Sequence, residues 1–250
     1  MSIAENASPV RQIDLWDSLD GEWIKLVLPV VRDVGAASQT LGGILRETNR
    51  ETFVFRDTIA RNARLSKRTL EKHLLTLAER GWIVNKGRQR TRGGTLRRSA
   101  TIQVTAQTKA TLNDFAILPW WATCYSRTHG RLPWSSRILL AFIMSRLAAI
   151  KRITEDNESN EYWGDEWGEV IDEYGEGRFR FSLQTLGHRV GLSKNSLIAA
   201  KRHLFHIGIV DWGGSQDGQT ADRLIPNPSF NVVITDAGNG QCWIDFVGDR

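Results

Sequence analysis

TIARNARLSKRTLEKHLLTLAERG, residues Thr58–Gly81, has a second copy 127 positions further along the chain. The second copy, Thr185–Gly208, reads TLGHRVGLSKNSLIAAKRHLFHIG and aligns with the first without a gap. Seven positions are identical in the two copies: Thr58, Leu65, Ser66, Lys67, Leu70, Leu77 and Gly81 match Thr185, Leu192, Ser193, Lys194, Leu197, Leu204 and Gly208. An internal repeat of this size predicts two structural units of one kind.

Each copy predicts two helices joined by a three-residue turn. In the first copy a short helix begins at Thr58 with Ile59 and Ala63 on its inner face, and Ser66 caps the next helix. Gly81 ends this second helix. The stripe of the second helix that faces the core lies at i, i+4 and i+7: Leu70, Leu74 and Leu77. The pattern is that of a helix-turn-helix.

The second copy repeats the pattern with changes. Its short helix has Leu186 and Val190 inward, and Gly191 in the turn can adopt positive φ at low cost. Lys201 stands where the first copy has Leu74, so we expect slightly different packing there. The inward stripe of the second helix becomes Leu197, Ala200, Leu204 and Ile207.

Strands are predicted after each copy. In the first, Trp82–Val84 is followed by a glycine-rich polar segment and a returning strand, Ala100–Thr105. In the second, Ile209–Trp212 is followed by a returning strand at Asn231–Thr235. A helix-turn-helix followed by a hairpin is a winged helix. The sequence therefore predicts an α+β, mainly helical fold of two tandem winged helix-turn-helix domains.

The domain boundary is placed between residues 112 and 113. Each domain, 1–112 and 113–250, has an amphipathic helix before its repeat, Ser38–Arg46 and Ser135–Arg152 respectively. The second domain also contains an acidic insertion at residues 155–176, followed by a small predicted strand, Arg178–Phe181.

Charge is divided unevenly along the chain. Residues 1–112 hold 19 Lys and Arg against 11 Asp and Glu, whereas residues 113–250 hold 14 against 17. Ten of the acids in the second half fall in Glu155–Glu176, which has no basic residue. Outside this stretch both halves are basic, and a basic surface suits a polyanionic partner.

Two groups of residues are candidate contacts to double-stranded DNA. The predicted first wing has no acidic residue between Arg80 and Lys109, and its guanidinium groups suit the phosphate backbone or a minor groove. Its candidate contacts are Lys86, Arg88, Arg90, Arg92, Arg97 and Arg98. The outward faces of the second helices can reach base edges in the major groove. Their candidates are Ser66, Lys67, Arg68, Thr69 and Lys72 in the first copy and Lys194, Asn195, Ser196 and Arg202 in the second.

The two copies differ in what they offer to DNA. Lys67 and Arg68 can donate to guanine, and Asn195 can pair with adenine through its amide. The second predicted wing, Gly213–Asn227, holds two aspartates and a single arginine, so we expect it to bind phosphate weakly. A solvated basic loop is the alternative for the first wing, and joining of proteins is the alternative role for either domain.

Each of two aromatic-rich regions of the sequence allows more than one interpretation. Glu155–Glu176 interleaves its acids with tyrosine and tryptophan. It is either a long surface loop or a docking segment that recruits a basic partner or covers a basic surface until DNA displaces it. The tryptophans before the second domain's long helix serve core packing or, alternatively, a ligand pocket or base-stacking surface: Trp120, Trp121 and Trp134.

The sequence lacks the motifs of several enzyme classes. There is no GxxxxGK[ST] phosphate loop, and the five histidines lack the H-x-H arrangement of a metal-dependent nickase. His203 and His206 lie one helical turn apart, but two ligands make a poor zinc site. We therefore expect no enzymatic activity, no metal and no cofactor.

Cysteine usage and hydropathy bear on the compartment. Cys124 and Cys242 have no nearby partner cysteine, and we interpret both as small buried side chains rather than disulfide or zinc ligands. No run of about 18 apolar residues occurs, and Met1–Val10 lacks the basic and apolar regions of a signal peptide. We expect a cytoplasmic protein with no membrane partner.

The order of these features resembles the winged-helix replication initiators of plasmids and phages. The resemblance depends on three features in order. An apolar-Pro-aromatic segment, Leu118–Trp120, is followed by a helix that begins with serine, Ser135–Leu147. A Leu-Ser-Lys turn before a Leu-rich helix follows in Leu183–Val210, and Val54–Ile83 is the first copy of this last feature. It implies a theta-type initiator, a monomer or homodimer without an enzymatic centre, whose two winged helices read repeated origin sites. Host replication proteins would be recruited through the second domain or the acidic insertion. The alternative is a transcriptional regulator whose second domain dimerises or senses a ligand.

Overall fold

The computed structural model describes residues 10–15, 17–47, 53–90, 96–159, 179–181, 183–213, 222–227, 230–236 and 242–247, and the fold is α+β. The helices are α1 Asp17–Asp20, α2 Leu28–Val34, α3 Ser38–Glu47, α4 Arg56–Asn62, α5 Lys67–Glu79, α6 Ala106–Thr111, α7 Trp134–Ser159, α8 Leu183–Val190 and α9 Lys194–His206. The strands are β1 Val10–Asp14, β2 Trp23–Val27, β3 Phe53–Val54, β4 Ile83–Arg90, β5 Leu96–Val104, β6 Phe115–Pro119, β7 Tyr125–Ser126, β8 Gly130–Arg131, β9 Phe179–Phe181, β10 Val210–Gly213, β11 Asp222–Pro226, β12 Asn231–Asp236 and β13 Cys242–Val247.

The chain divides into two compact units. The first unit is Trp23–Leu118 with His188–Leu192. The second unit contains the described parts of Met1–Glu22, Pro119–Gly187 and Ser193–Arg250. This division differs from a single boundary at residue 112. β1 belongs to the second unit because it pairs along its length with β12, and β6 belongs to the first because it pairs with β2.

The core of the first unit lies between α3, α4, α5 and the three-stranded sheet β3-β5-β4. The predicted stripe of α5 is confirmed, since Leu70, Leu74 and Leu77 are each at most 1% exposed. Burial of a leucine stabilises a fold by about 1.5–3 kcal/mol relative to leaving it in water. Because this stripe holds one face of α5 in the core, the opposite face is directed to solvent.

The helices that precede α5 and α9 begin two residues earlier than predicted, at Arg56 and Leu183. For α4 the reason is visible in the backbone, because the N–H groups of Thr58 and Ile59 both donate to the carbonyl of Phe55. The predicted inward residues of both short helices are confirmed as buried: Ile59, Ala63, Leu186 and Val190.

The predicted serine caps are confirmed in both copies. Ser66 Oγ accepts a hydrogen bond from the N–H of Thr69 at 3.2 Å, and Ser193 Oγ accepts one from Ser196 at 3.1 Å. A side-chain oxygen at this position satisfies one of the backbone donors that a helix leaves free at its N-terminus. The two helices therefore start with the same geometry, although the residues that follow them differ.

The helix ends also match. Gly81 and Gly208 have φ of 73° and 80°, the left-handed conformation that glycine adopts most easily. At the end of α5 the N–H of Trp82 donates to the carbonyl of Leu77 at 2.9 Å, and α9 ends with the same hydrogen bond five residues back. This is the pattern of a Schellman cap, so the predicted glycine stops are confirmed.

The turns between the short helices and α5 or α9 both contain a left-handed residue. Gly191 has φ of 70°, as its sequence predicts, whereas the first copy places Arg64 at φ 51°. A side chain at such φ costs about 1–2 kcal/mol, because Cβ approaches the following carbonyl oxygen.

We expect Arg64→Gly to raise the free energy of unfolding by about 0.5–1 kcal/mol, since relief of this strain exceeds the extra entropy of glycine in the unfolded chain. Chemical denaturation measures the change. Arg64→Ala is the matched control, because it removes the same side chain but keeps Cβ. An equal gain in the alanine variant would show that the guanidinium, and not the backbone, is responsible.

The returning strand of the second copy is not the one predicted. β10 pairs with β11, and β11 pairs with β9, whereas the predicted strand at Asn231–Thr235 is β12 in a different sheet. The chain turns after β11 because Asn227 is buried and donates from Nδ2 to the carbonyl of Gly208 at 2.9 Å. Apolar alternation made β12 visible in the sequence, but its partners are β1 and β13.

A five-stranded sheet of order β1-β12-β13-β7-β8 forms much of the second unit. Trp121 packs against this sheet: it is 1% exposed, and its ring centroid lies 6.3 Å from that of Phe246 in β13 and 6.1 Å from that of Phe230, which precedes β12. The indole N–H donates to Ser18 Oγ at 2.9 Å. Core packing is therefore the role of Trp121, while Trp120 and Trp134 are half-buried.

The interpretation of the cysteines as two isolated thiols is wrong. Cys124 is buried and disulfide-bonded, and the chain holds one other cysteine, Cys242. Because the two cysteines are far apart in the sequence, their spacing gave no indication of a disulfide. β13 runs parallel to β7 with Trp243 opposite Tyr125. The residues just before this pair are Cys242 and Cys124, so the register brings the two cysteines opposite each other. Disulfides persist mainly in oxidising compartments, so the expected cytoplasmic location gains no support from this bond and stays a prediction.

The long helix α7 runs further than the predicted Ser135–Arg152, and ends at Ser159. The first residues of the acidic insertion therefore belong to α7, and residues 160–176 lie outside the described residues. The sequence predicts one apolar face for α7, and of its residues Ile138, Leu139, Ile143 and Leu147 are buried while Phe142 is half-buried. Of the helices that the structure describes, none has both the length and the apolar character needed to cross a membrane.

Candidate nucleic-acid interface

The outward face of α5 is cationic. Lys67, Arg68 and Lys72 are exposed, as is the capping residue Ser66. Thr69 is half-buried, and its Oγ1 lies 2.9 Å from Ser66 Oγ. The two hydroxyl groups therefore organise the start of the helix, while the three cations point to solvent.

Two ion pairs adjust the charge of this face. Lys67 Nζ lies 3.0 Å from Asp57, but their side chains are 80% and 70% exposed, and such pairs contribute about 0–1 kcal/mol. Lys67 can therefore exchange this carboxylate for a phosphate at little cost. Glu71, the acid nearest to Arg68 in α5, is held by Arg56 of α4 at 2.5 Å. That pair neutralises Glu71 next to Arg68.

Leu75 is a residue on the outward face of α5 that the sequence analysis did not consider. It lies one turn after Glu71 and two turns after Arg68, and it is 61% exposed. An exposed leucine on such a face can contact the methyl group of thymine. The signal was available, because Leu75 falls outside the i, i+4, i+7 stripe of Leu70, Leu74 and Leu77.

The arginines of the predicted first wing lie mostly in strands rather than in a flexible loop. Arg88 and Arg90 belong to β4, Arg97 and Arg98 to β5, and Lys86 on β4 is exposed; Arg92 lies outside the described residues. The hairpin of β4 and β5 is a two-stranded arm: β3 pairs with β5 at Ala100 and Thr101, Arg88 lies opposite Ala100, and the pairing of Arg90 with Leu96 extends beyond β3. The register shifts on either side of Arg88, and such irregularities increase twist.

The outward face of α9 carries the candidates of the second copy. Lys194, Asn195 and Arg202 are exposed, and Ser196 is half-buried with its Oγ 2.9 Å from Ser193 Oγ. Lys201 is 2% exposed, which agrees with the altered packing expected at that position. A groove with a volume of about 530 Å³ runs along this face, lined by Asn195, Ile198, Ala199, Arg202, His203 and His206.

His203 lies at the inner side of this face. Burial lowers its pKa, and the nearby His129 and His206 lower it further. In the part of the chain that the structure describes, its Nδ1 is buried without a hydrogen-bond partner.

The hairpin β7–β8, Tyr125–Arg131, is a second basic element that the sequence analysis missed. Arg127, His129 and Arg131 are exposed. Ser126 Oγ accepts from the N–H groups of Thr128 and His129, at 3.3 and 3.1 Å. Gly130 supplies the left-handed residue with φ of 71°. Three basic residues just before and after a glycine were the available signal.

Arg131 also affects the start of α7. The pKa of Arg137 is lowered to about 10, first by burial and then by the charge of Arg131. The hairpin thus adds positive potential to an already basic region of the second unit.

Metal ligands are not brought together within the described ranges. Among these residues there is no group of three His, Cys, Asp or Glu side chains that could hold a metal ion.

Comparison with protein-family models, with curated proteins and with solved structures gives no match. The resemblance to replication initiators stays a prediction.

Proposed function

We propose that the protein binds double-stranded DNA in a sequence-specific manner through two winged helices, and that it initiates replication by binding repeated origin sites. One observation carries the proposal. A Ser-capped helix, α5, presents Lys67, Arg68 and Lys72 to solvent and is followed by an arm that bears four more arginines. This arrangement suits a helix in the major groove beside an arm on the adjacent backbone or minor groove.

The two copies would contribute unequally to DNA binding. α5 and its arm supply a helix for base contacts and a dense set of cations for phosphates. α9 supplies Asn195 and Arg202 on its outward face, but the hairpin β10–β11 that follows it holds few cations. Recruitment of host replication proteins through the second unit or through Glu155–Glu176 is part of this proposal.

Footprinting on the DNA next to the gene tests the role. Tandem direct repeats that the protein protects, together with support of a replicon that lacks its own initiator, are the expected results. One protected inverted repeat in a promoter, with no support of the replicon, would instead indicate the transcriptional regulator, because a two-fold symmetric site matches a symmetric dimer.

Arg68→Ala is expected to weaken binding to the preferred site by about 1–3 kcal/mol and to relax preference at one base pair, because a bidentate contact to guanine would be lost. Binding to a full set of single-base variants measures this effect. Lys86→Ala, at an exposed position of β4, is the control, and as a phosphate contact it should weaken all sites alike. A uniform loss on all sites with Arg68→Ala would contradict its assignment to a base.

A further inference from the structure

The five-stranded sheet of the second unit has a buried face and an open face. Val232, Ile234 and Ile244 point into the core and are at most 5% exposed. Successive side chains of a strand point to opposite faces, so the residues that alternate with these three lie on the other side of the sheet. We call that side the outer face, and its described side chains are half-buried or exposed.

One row across the outer face combines two aromatic rings with a cation. Trp243 of β13 lies opposite Tyr125 of β7, and Tyr125 lies opposite Arg131 of β8. Neighbouring strands are about 4.8 Å apart, so the three residues fall within about 10 Å. The two rings meet edge to face with their centroids 5.2 Å apart. Tyr125 is 45% exposed, Trp243 is half-buried, and Arg131 is exposed.

We propose that this row binds single-stranded DNA, with bases stacked on Tyr125 and Trp243 and phosphates bound by Arg127 and Arg131. No residue of α5, of its arm or of α9 contributes to the site, and single strands are a ligand beyond the duplex of the proposed function. The choice of DNA over RNA rests on the proposed function, because a protein that initiates replication meets DNA strands once the origin duplex opens.

The aromatic pair is suited to bases rather than to one particular sequence. Aromatic rings on an exposed sheet face bind single strands because every base has a face that stacks on a ring. In an edge-to-face pair, the ring that presents its edge keeps its own two faces clear of its partner. The exposed part of Tyr125 therefore leaves ring surface that the core of the second unit does not use.

The cations beside the rings are available to phosphate. In the described part of the chain, no carboxylate forms an ion pair with Arg127 or Arg131. The guanidinium of Arg127 lies 6.0 Å from the centre of the tryptophan ring, at the outer limit of a cation–π contact, so it can turn to a phosphate at little cost. The acids of the outer face, Asp245 and Asp14, lie one and two rows away.

The row is held in place before any ligand binds. β7 is paired on both sides, with β13 and with β8. Ser126 Oγ accepts from two backbone N–H groups of the turn, at 3.3 and 3.1 Å, and the disulfide at Cys124 directly precedes Tyr125. Side chains on such a framework lose little conformational freedom on binding, which favours affinity.

Binding of a labelled oligodeoxyuridine of about 16 nucleotides tests the site, because such a strand has bases but does not pair with itself. Tyr125→Ala should weaken binding about fivefold to a hundredfold, the effect of losing one base–aromatic stack. Tyr125→Phe keeps the ring and should bind like the wild type. Trp23→Ala is the matched control, since it removes an aromatic residue that is 42% exposed in the first unit, and affinity should change less than twofold.

Salt dependence tests the phosphate contacts of the same strand. Arg131→Ala should lower the slope of log affinity against log salt by about 0.7, the value for one phosphate of a single strand. Arg131→Lys keeps the charge and should keep the slope. So should Arg11→Ala, which removes an exposed arginine from β1 at the opposite edge of the sheet. If folded Tyr125→Ala or Arg131→Ala binds the strand exactly as the wild type does, the site is wrong; thermal unfolding verifies the fold.

Parallel measurements on duplex separate this site from the proposed function. Tyr125→Ala should bind duplex like the wild type, whereas Arg68→Ala should weaken binding to the preferred duplex but not to the single strand. A wild-type protein that binds duplex but not oligodeoxyuridine would overturn the site and leave the proposed function standing. Binding of the single strand that depends on Tyr125, without any binding of duplex, would do the reverse.

A comparison with oligouridine of the same length tests the choice of DNA, since the two strands differ only in the 2′-hydroxyl group. We expect the wild-type protein to bind oligodeoxyuridine at least as tightly as oligouridine. Clearly tighter binding of oligouridine would overturn the assignment of this row to DNA.

Discussion

Replacement of Arg90, Arg92, Arg97 and Arg98 together by alanine should lower DNA affinity on every sequence and flatten its salt dependence. These arginines belong to the arm β4–β5 or to the segment between its strands. If all four contact phosphates, the slope of log affinity against log salt falls by about 3.6, and affinity near 0.1 M salt falls by about three orders of magnitude. Titrations of labelled duplex at four or more salt concentrations measure both quantities.

Substitution of the same four residues by lysine is the control. Lysine keeps the charge but loses the forked hydrogen bonds, so the slope should stay near the wild-type value while affinity falls moderately. An alanine variant that remains folded and keeps the full slope would show that the arm does not touch the backbone, and the assignment of the first unit to DNA would be wrong.

Removal of the disulfide at Cys124 should destabilise the second unit by about 2–5 kcal/mol. The bond closes a loop of roughly 120 residues, and the entropy that such a cross-link removes from the unfolded chain corresponds to about 4–5 kcal/mol. For a chain of this size the thermal midpoint should fall by about 10 °C. Calorimetry of the wild-type protein with and without a thiol reductant measures the shift.

The Cys124→Ser variant completes this experiment. It should unfold at the lower temperature and be insensitive to the reductant, because no bond remains to be broken. Mass spectrometry of alkylated thiols verifies the redox state before each scan. Equal midpoints of fully oxidised and fully reduced wild-type protein would contradict a stabilising role, and two free thiols in the air-oxidised protein would contradict the bond itself.

Local spacing carried most of what could be predicted about the helices. The leucines of α5, the serines before α5 and α9, and the glycines after them each act on residues within one or two turns, so their roles follow from sequence distance alone. Buried Leu74, the cap at Ser66 and the positive φ of Gly208 agree with those predictions. The exposed cations of α5 followed from the same reasoning, since a face opposite a buried stripe has to meet solvent.

Strand pairing was predicted less well, because apolar alternation identifies a strand but not its partner. The segment Asn231–Thr235 was expected to return beside β10, but it lies between β1 and β13. β1 itself was not predicted, and its pairing with β12 joins Val10–Asp14 to Asn231–Thr235. The position of Arg64 at positive φ could not be predicted either, since the turn length is common to both copies but only one has glycine.

The sequence by itself determined that this protein has two related helix pairs with exposed basic faces, because helix periodicity, caps and stops are encoded by near neighbours. Only the tertiary structure decided which strands share a sheet and that Cys124 is disulfide-bonded. The disulfide and the pairing of β1 with β12 join residues about 120 and about 220 positions apart, and their free energy comes from burial and pairing of the whole unit, which no local pattern reports.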